Sequence, residues 1–425
     1  MIDRRALVTS GLAAGALTLA GRPVLAQGVK LNVYAHRVHR TVAAGQAGDI
    51  TEAFTKRTGT GVEWVTFDTG PLQERLFREA SLGETTVDVG FVLNTQAVPR
   101  ITNLFEPLGP FMQKDPIEQP ADVFPGLMSG FTVRGQLYAL PFRHASSGLH
   151  YNEEILAERG FKEAPRTIEE LVEVARRCTY TRANGTQVTG LVLPGVSYPN
   201  VIDIARAWDG EYITPDFKLA CVEPPMVRAI TLLRELFQAG AFPRNFASLG
   251  TEDVNVWMQQ GRAAMVLQSM GRHQIFNDPQ KSQFAGKIKT TTIPVSKELL
   301  GKYPVAPAKV EFWGMAIPRN SKNKDRAWAL IKEMISRENT IKAALNGNGP
   351  VRASAYDDPR IRQRVPFADA ERAVLRVARV PMPAFDGAAK AADYFKEEAE
   401  AAVLGMKTPE KAMADLASRV RPLLA

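Results

Sequence analysis

The chain has 425 residues, a formal net charge of +8 at neutral pH and two cysteines. Lys and Arg are scattered among Glu and Asp with no run of five or six like charges, which argues against a nucleic-acid-binding protein. The length exceeds one comfortable hydrophobic core, so two lobes or domains are expected.

The first element is a leader. Met1 to Arg5 is short and basic, Ala6 to Ala20 is an uncharged run rich in Ala, Leu, Gly and Thr, and Val24-Leu25-Ala26 places small or aliphatic residues before Gln27. This pattern predicts a signal peptide over residues 1–26, cleaved after about Ala26, and hence a periplasmic protein. A glycine-broken run of 15 residues is too short for a bilayer core that needs about 20, so the chain is not expected to span a membrane. Arg4-Arg5 followed by Ala6-Leu7 resembles a twin-arginine export signal, with the general secretory route as the alternative. Loss of three arginines and one aspartate lowers the formal charge from +8 to +6. No cysteine sits at the junction, so a lipid anchor is not expected; Cys178 and Cys221 form one disulfide or stay as two buried thiols.

Next comes an alternation of strand and helix patterns. Lys30–Tyr34 reads as a strand, 49–58 as a helix, Val62–Thr66 as a strand, 71–82 as a helix and Val87–Leu93 as a strand. That βαβαβ rhythm predicts a doubly wound α/β sheet, in which ligands bind beyond the carboxyl ends of strands. A second region, from about Tyr151 to Ala285, carries helices at Thr167–Arg177, Pro225–Gln238 and Asp253–Gly261 and a strand at Ala263–Gln268. Beyond Pro294 the pattern gives a strand Glu311–Ile317, a helix Lys324–Ser336 and a helical tail from Asp386 to Leu424, broken near Gly405.

Several ordered motifs carry a family resemblance. Gly135-Gln136-Leu137-Tyr138-Ala139-Leu140-Pro141, where Leu140-Pro141 ends a strand because proline cannot sit within a central ladder, is followed by Leu149-His150-Tyr151-Asn152 and by Pro165-Arg166-Thr167-Ile168-Glu169-Glu170-Leu171. Gln260-Gly261-Arg262-Ala263-Ala264-Met265, Phe312-Trp313-Gly314-Met315-Ala316-Ile317-Pro318 and Thr408-Pro409-Glu410-Lys411-Ala412 extend the pattern along the chain. Together they resemble the family 1 extracellular solute-binding proteins, the group that includes maltose-binding protein. The resemblance implies a type II periplasmic binding protein of two doubly wound lobes, joined by crossing segments around a ligand cleft. It places the first lobe at 27–142 plus about 294–349 and the second at 143–293 plus about 350–425. It also implies a monomeric, non-catalytic receptor that captures a carbohydrate or polyol by hinge closure and hands it to the permease subunits of an ABC importer.

Residues in the loops just after strands, such as 36–40 after the first strand, and at the crossings are the candidate ligand contacts: His36, Arg37, Asn94, Arg143, His144, Tyr198, Trp208, Arg272, Trp313, Arg352 and Phe385. All five histidines fall in or beside segments that the resemblance assigns to the cleft, with Arg37, Arg143 and Arg272. Guanidinium forks match carboxylates and phosphates, so an acidic sugar stands beside the neutral saccharide. No metal or cofactor is expected, since the H-x-x-H spacing of His36 and His39 lacks a third ligand nearby. Glu153-Glu154 and Glu169-Glu170 suit helix starts, Asp357-Asp358 suits a turn or cap, and Trp328 suits a core. The rival functions are a periplasmic sugar-acting hydrolase and a ligand-sensing adaptor; G-x-S-x-G and H-E-x-x-H are both absent from the sequence.

Overall fold

The computed structural model describes residues 28–424, so the expected leader and its cleavage point lie outside the described residues. The first strand, Lys30–His36, buries Leu31, Val33 and Ala35 on one face. It pairs in parallel with Gly61–Phe67 on one side and Val89–Leu93 on the other, so the carboxyl ends of all three open toward the same edge. The helix Ile168–Arg177 shows why the second lobe folds as the sequence suggests. Thr167 caps it by accepting from the Glu170 amide at 3.2 Å, and Ile168, Leu171, Val174 and Ala175 form its buried stripe. Its backbone then lies so close to the strand Gln187–Val192 that a Cβ at Gly190 would stand 1.8 Å from the Ala175 carbonyl oxygen.

A nine-stranded sheet runs through both lobes. Its order is Gly61–Phe67, Lys30–His36, Val89–Leu93, Val310–Ala316, Leu140–Asn152, Ala263–Ser269, Gln187–Val192 and Tyr180–Thr181, with Ile288–Thr291 also paired to Leu140–Asn152. The long strand Leu140–Asn152 is the crossing. Its first half pairs antiparallel with Val310–Ala316, and from Ser147 onward it pairs with Ala263–Ser269.

Three expectations need correcting. Pro141 was expected to end a strand, yet it is the second residue of the crossing strand, paired with Gly314 beside a slip of the ladder that leaves Phe142 unpaired, a strand-start and bulge position where a residue without an amide is tolerated. Residues 37–40 were expected to be loop, yet Arg37–Ala43 is a helix, because His36 caps it through Nδ1 and Val42 and Ala43 bury its inner side. The lobe boundaries also move. Val295 bridges Thr167, Arg228 pairs with Glu298 at 2.6 Å and Lys302 with Asp209 at 2.6 Å, so the stretch after residue 294 packs on the second lobe. Arg352 bridges Val123, and Asp122 accepts from the Ser354 amide at 2.8 Å, which ties the stretch after residue 350 to the first lobe.

Other readings hold. Glu153, Glu154, Glu169 and Glu170 lie in first helical turns, Asp358 caps Pro359–Arg364, and Trp328 is a buried core side chain. Cys178 and Cys221 are free and buried, and burial raises their thiols to about 11 and about 12.

Candidate functional site

Side chains alternate along the two central crossing strands, so neighbours in sequence face opposite sides. Arg143 stands opposite Trp313 and Ala145 opposite Glu311 on one face; His144 stands opposite Phe312 and Ser146 opposite Val310 on the other. On the first face Ala145 is exposed and Arg143, Glu311 and Trp313 are half-buried. On the second all four residues are buried.

The first face meets the end of the strand Lys30–His36. The His36 ring lies 6.2 Å from the Trp313 ring, and His39 meets Trp313 edge-on at 5.0 Å. His36 is fixed twice: its Nδ1 accepts from the Val38 amide at 3.1 Å, and its own amide donates to His39 Nδ1 at 3.3 Å. Burial shifts both rings toward their neutral forms, and the Arg143 charge acts the same way on each, while the Asp68 carboxylate opposes it at His36. Arg143 itself has a buried Nη1 with no hydrogen-bond partner. Arg37 lies at the rim, paired with Asp68 at 3.4 Å. From the second lobe comes Tyr198, the first residue of the helix Tyr198–Ala205. Burial and the neighbouring Glu311 carboxylate push its hydroxyl up to about 12, so it acts as a hydrogen-bonding phenol at neutral pH.

The second face is a closed polar cluster. The Tyr356 hydroxyl donates to Glu371 at 2.8 Å, Ser146 Oγ donates to Glu371 at 3.3 Å, and His144 Nε2 lies 3.3 Å from the Tyr356 oxygen. Burial pushes the Glu371 carboxyl up to about 7 and the His144 imidazole down to about 3. His144 therefore points away from the Arg143 face, contrary to expectation. The clustering of all five histidines near a ligand also fails as a rule. His39, His144 and His150 are buried, and His150 is satisfied by Thr290 at 2.7 Å and the Ser269 carbonyl at 3.1 Å.

The remaining candidates scatter. Arg352 is a buried clamp of the first lobe: its Nε donates to the Ile335 carbonyl at 2.5 Å, and its Nη1 donates to the Gln119 carbonyl at 3.2 Å and pairs with Asp122 at 3.5 Å. Its extended backbone after Gly349-Pro350 resembled a site loop, but the guanidinium turns inward. Asn94 is buried and accepts from the Phe312 amide at 3.0 Å. Arg272 reaches Glu252 at 3.4 Å. Trp208 ends a short 3-10 helix and packs against the second lobe's core, while the Phe385 ring meets Phe217 at 6.2 Å.

A cavity of about 610 Å³ between the lobes was not foreseen. It is lined by Asn94, Gly130, Arg134, Arg206, Phe217 and Arg379 among others. It belongs to the Phe312 side of the crossing, since a Cβ on Gly130 would stand 2.3 Å from the Phe312 ring. Arg206 donates to the carbonyls of Arg379 and Val380 at 3.0 and 2.6 Å and pairs with Glu211 at 2.8 Å. That network ties residues 379 and 380 to the second lobe. Glu311 was missed as well, although its place two residues before Trp313 puts both on one strand face.

A fold of two lobes with crossing strands and a polar face between them has known counterparts. The model of the bacterial extracellular solute-binding protein family matches residues 49–368. The chain belongs to that family. Over 99% of its length it is 23% identical to a probable amino-acid ABC transporter periplasmic-binding protein of Sinorhizobium fredii, covering 98% of that protein. The sugar-binding protein MalE of Xanthomonas citri superposes with a TM-score of 0.79 at 20% identity, covering 93% of this chain and 97% of that one. An ABC transporter solute-binding protein of Agrobacterium radiobacter in complex with ribitol gives a TM-score of 0.70 at 22% identity, covering 93% and 99%. These likenesses confirm the type II periplasmic binding fold, with a mixed sheet and helices on both faces.

Proposed function

We propose that this chain is the solute receptor of an ABC importer, working in the periplasm after removal of its leader and closing its two lobes on a carbohydrate or polyol. One arrangement carries the reading: Arg143, Trp313 and Glu311 share one face of the crossing strands, His36 meets it from the first lobe, and Tyr198 approaches from the second, where the Pro199 carbonyl accepts from Lys309 two residues before Glu311. An aromatic plate with hydrogen-bonding groups on both sides of a hinge is what hydroxylated solutes need. Closure is then favoured by differential affinity, because the closed form touches the solute with both lobes and the open form with one. Sugar and ribitol, named for two structural neighbours, fit this chemistry. Among the described residues no helix is long and apolar enough to cross a membrane, and the receptor reading has separate permease subunits take up the delivered solute.

A micromolar dissociation constant amounts to about −8 kcal/mol, within reach of a few hydrogen bonds and one stacked ring. The test is a melting-temperature screen of the purified protein against sugars, polyols, sugar acids and amino acids. A true ligand at 100 times its dissociation constant adds about 2.7 kcal/mol of stability. Stabilisation by amino acids alone would reject the carbohydrate reading and favour the chemistry named for the Sinorhizobium relative.

A further inference from the structure

We propose that the solute is a carboxylated sugar, an aldonate or uronate, whose carboxylate pairs with Arg143. This rests on the receptor reading and narrows its ligand.

Burying a guanidinium without a counter-ion is unfavourable, and buried arginines elsewhere in the chain avoid it. Arg206, Arg352 and Arg372 each hold one buried nitrogen without a partner, but each is ion-paired, to Glu211, Asp122 and Asp357 respectively. Arg143 is half-buried, has the same unpartnered nitrogen, and among the described residues forms no ion pair and no side-chain hydrogen bond. Among the described residues the carboxylate on its own face, Glu311, forms no ion pair with it, and Glu371, whose charge acts on it, lies with the opposite face, where Tyr356 and Ser146 already donate to it.

Arg143 also faces the open side of the crossing, where Ala145 is exposed two residues on. A planar carboxylate can meet its fork in two hydrogen bonds. Trp313, directly across the ladder, then lies beside the bound group as a plate for the carbon chain or ring. Glu311, on the same face toward Tyr198, accepts from hydroxyls at the far end of the solute and would repel a second carboxylate. The face thus reads as cation, aromatic, acceptor, which suits one acid group followed by hydroxyls.

Isothermal titration of the purified protein with gluconate, glucuronate, glucose and sorbitol tests this directly. The expected result is binding of one or both acids at least 10-fold tighter than of the neutral compounds, and a loss of about 10- to 100-fold in the Arg143→Gln variant. Arg143→Lys, which keeps the charge but loses the fork, should retain part of the affinity; it also serves if the glutamine variant does not fold. Equal or tighter binding of glucose or sorbitol, unchanged in Arg143→Gln, overturns the acid assignment and leaves the carbohydrate receptor standing. Binding of none of the four, with stabilisation by amino acids instead, overturns both.

Discussion

Arg143 and His144 are adjacent in the chain and opposite in role. Arg143 and its partner Trp313 face the open side between the lobes; His144 faces a packed side where Tyr356, Glu371 and Ser146 satisfy one another. The strand pleat alone separates them. On the packed side only His144 Nδ1 among these groups lacks a partner, and the Tyr356, Glu371 and Ser146 bonds stabilise the crossing, whereas on the open side Arg143 keeps a charged guanidinium whose partner a solute can supply. Residue type does not distinguish the two; the parity of the position does.

The same distinction is sharpest between Arg143 and Arg352, both once reasonable ligand contacts. Arg352→Ala removes the cation paired with Asp122, which keeps only Ser354 as a donor, and takes one of two donors from each of the carbonyls of Ile335 and Gln119. Removing one partner of a buried ion pair typically costs about 3–5 kcal/mol. Urea unfolding should show that loss as a lower midpoint at an unchanged slope, with solute affinity of the folded fraction preserved. A variant of normal stability that no longer binds would move Arg352 into the site and break the comparison.

The packed cluster should also show itself in the pH dependence of stability. Glu371 has its folded value raised to about 7 from an ordinary 4.5, so the folded state binds more protons between those values. Its contribution is present below about 4.5 and is lost as pH rises through 7, amounting to about 3 kcal/mol at alkaline pH. His144 runs the other way. Its folded value of about 3 lies below the ordinary 6.5, so stability is full above 6.5 and falls by about 2 kcal/mol on acidification to pH 5. Glu371→Gln keeps an acceptor for Tyr356 and removes the titration. Melting curves from pH 5 to 9 should show the variant gaining on the native protein as pH rises, and parallel profiles would show that Glu371 is already charged at neutral pH.

Much of this architecture was legible because short-range physics repeats along the chain. Thr167 three residues before Glu170, the stripe Ile168-Leu171-Val174 and the runs Lys30–Tyr34 and Val89–Leu93 declare helices and strands by capping and period. The motif around Phe312-Trp313-Gly314 placed Trp313 at a crossing. Which way a side chain turns was not legible where long-range pairing decides it. Pro141 looked like a strand end, and only the slipped ladder opposite it shows how it is accommodated. His144 and Arg352 looked like site residues because their segments approach the hinge, yet Tyr356 and Asp122, more than 200 residues away in the chain, claim them. Glu311 could have been found by counting two residues back from Trp313.

Arg37 gives the smallest expected effect and the finest test of what the open face requires. It shares the rim with His36 but already has a partner, Asp68 at 3.4 Å, with both side chains about two-thirds exposed at 68% and 65%. An exposed pair of this kind contributes at most about 1 kcal/mol, so Arg37→Ala should melt close to the native protein. A direct ligand contact would make the variant lose affinity at every salt concentration, as Arg143→Gln should. A rim charge that merely attracts an anionic solute instead slows association a few-fold at low ionic strength, and the effect fades once the screening length falls below about 10 Å near 0.1 M salt. Stopped-flow association rates across a salt series separate the two. Salt-independent loss would extend the anion site from the crossing strand to the first helix, and a fading effect would confine it to Arg143.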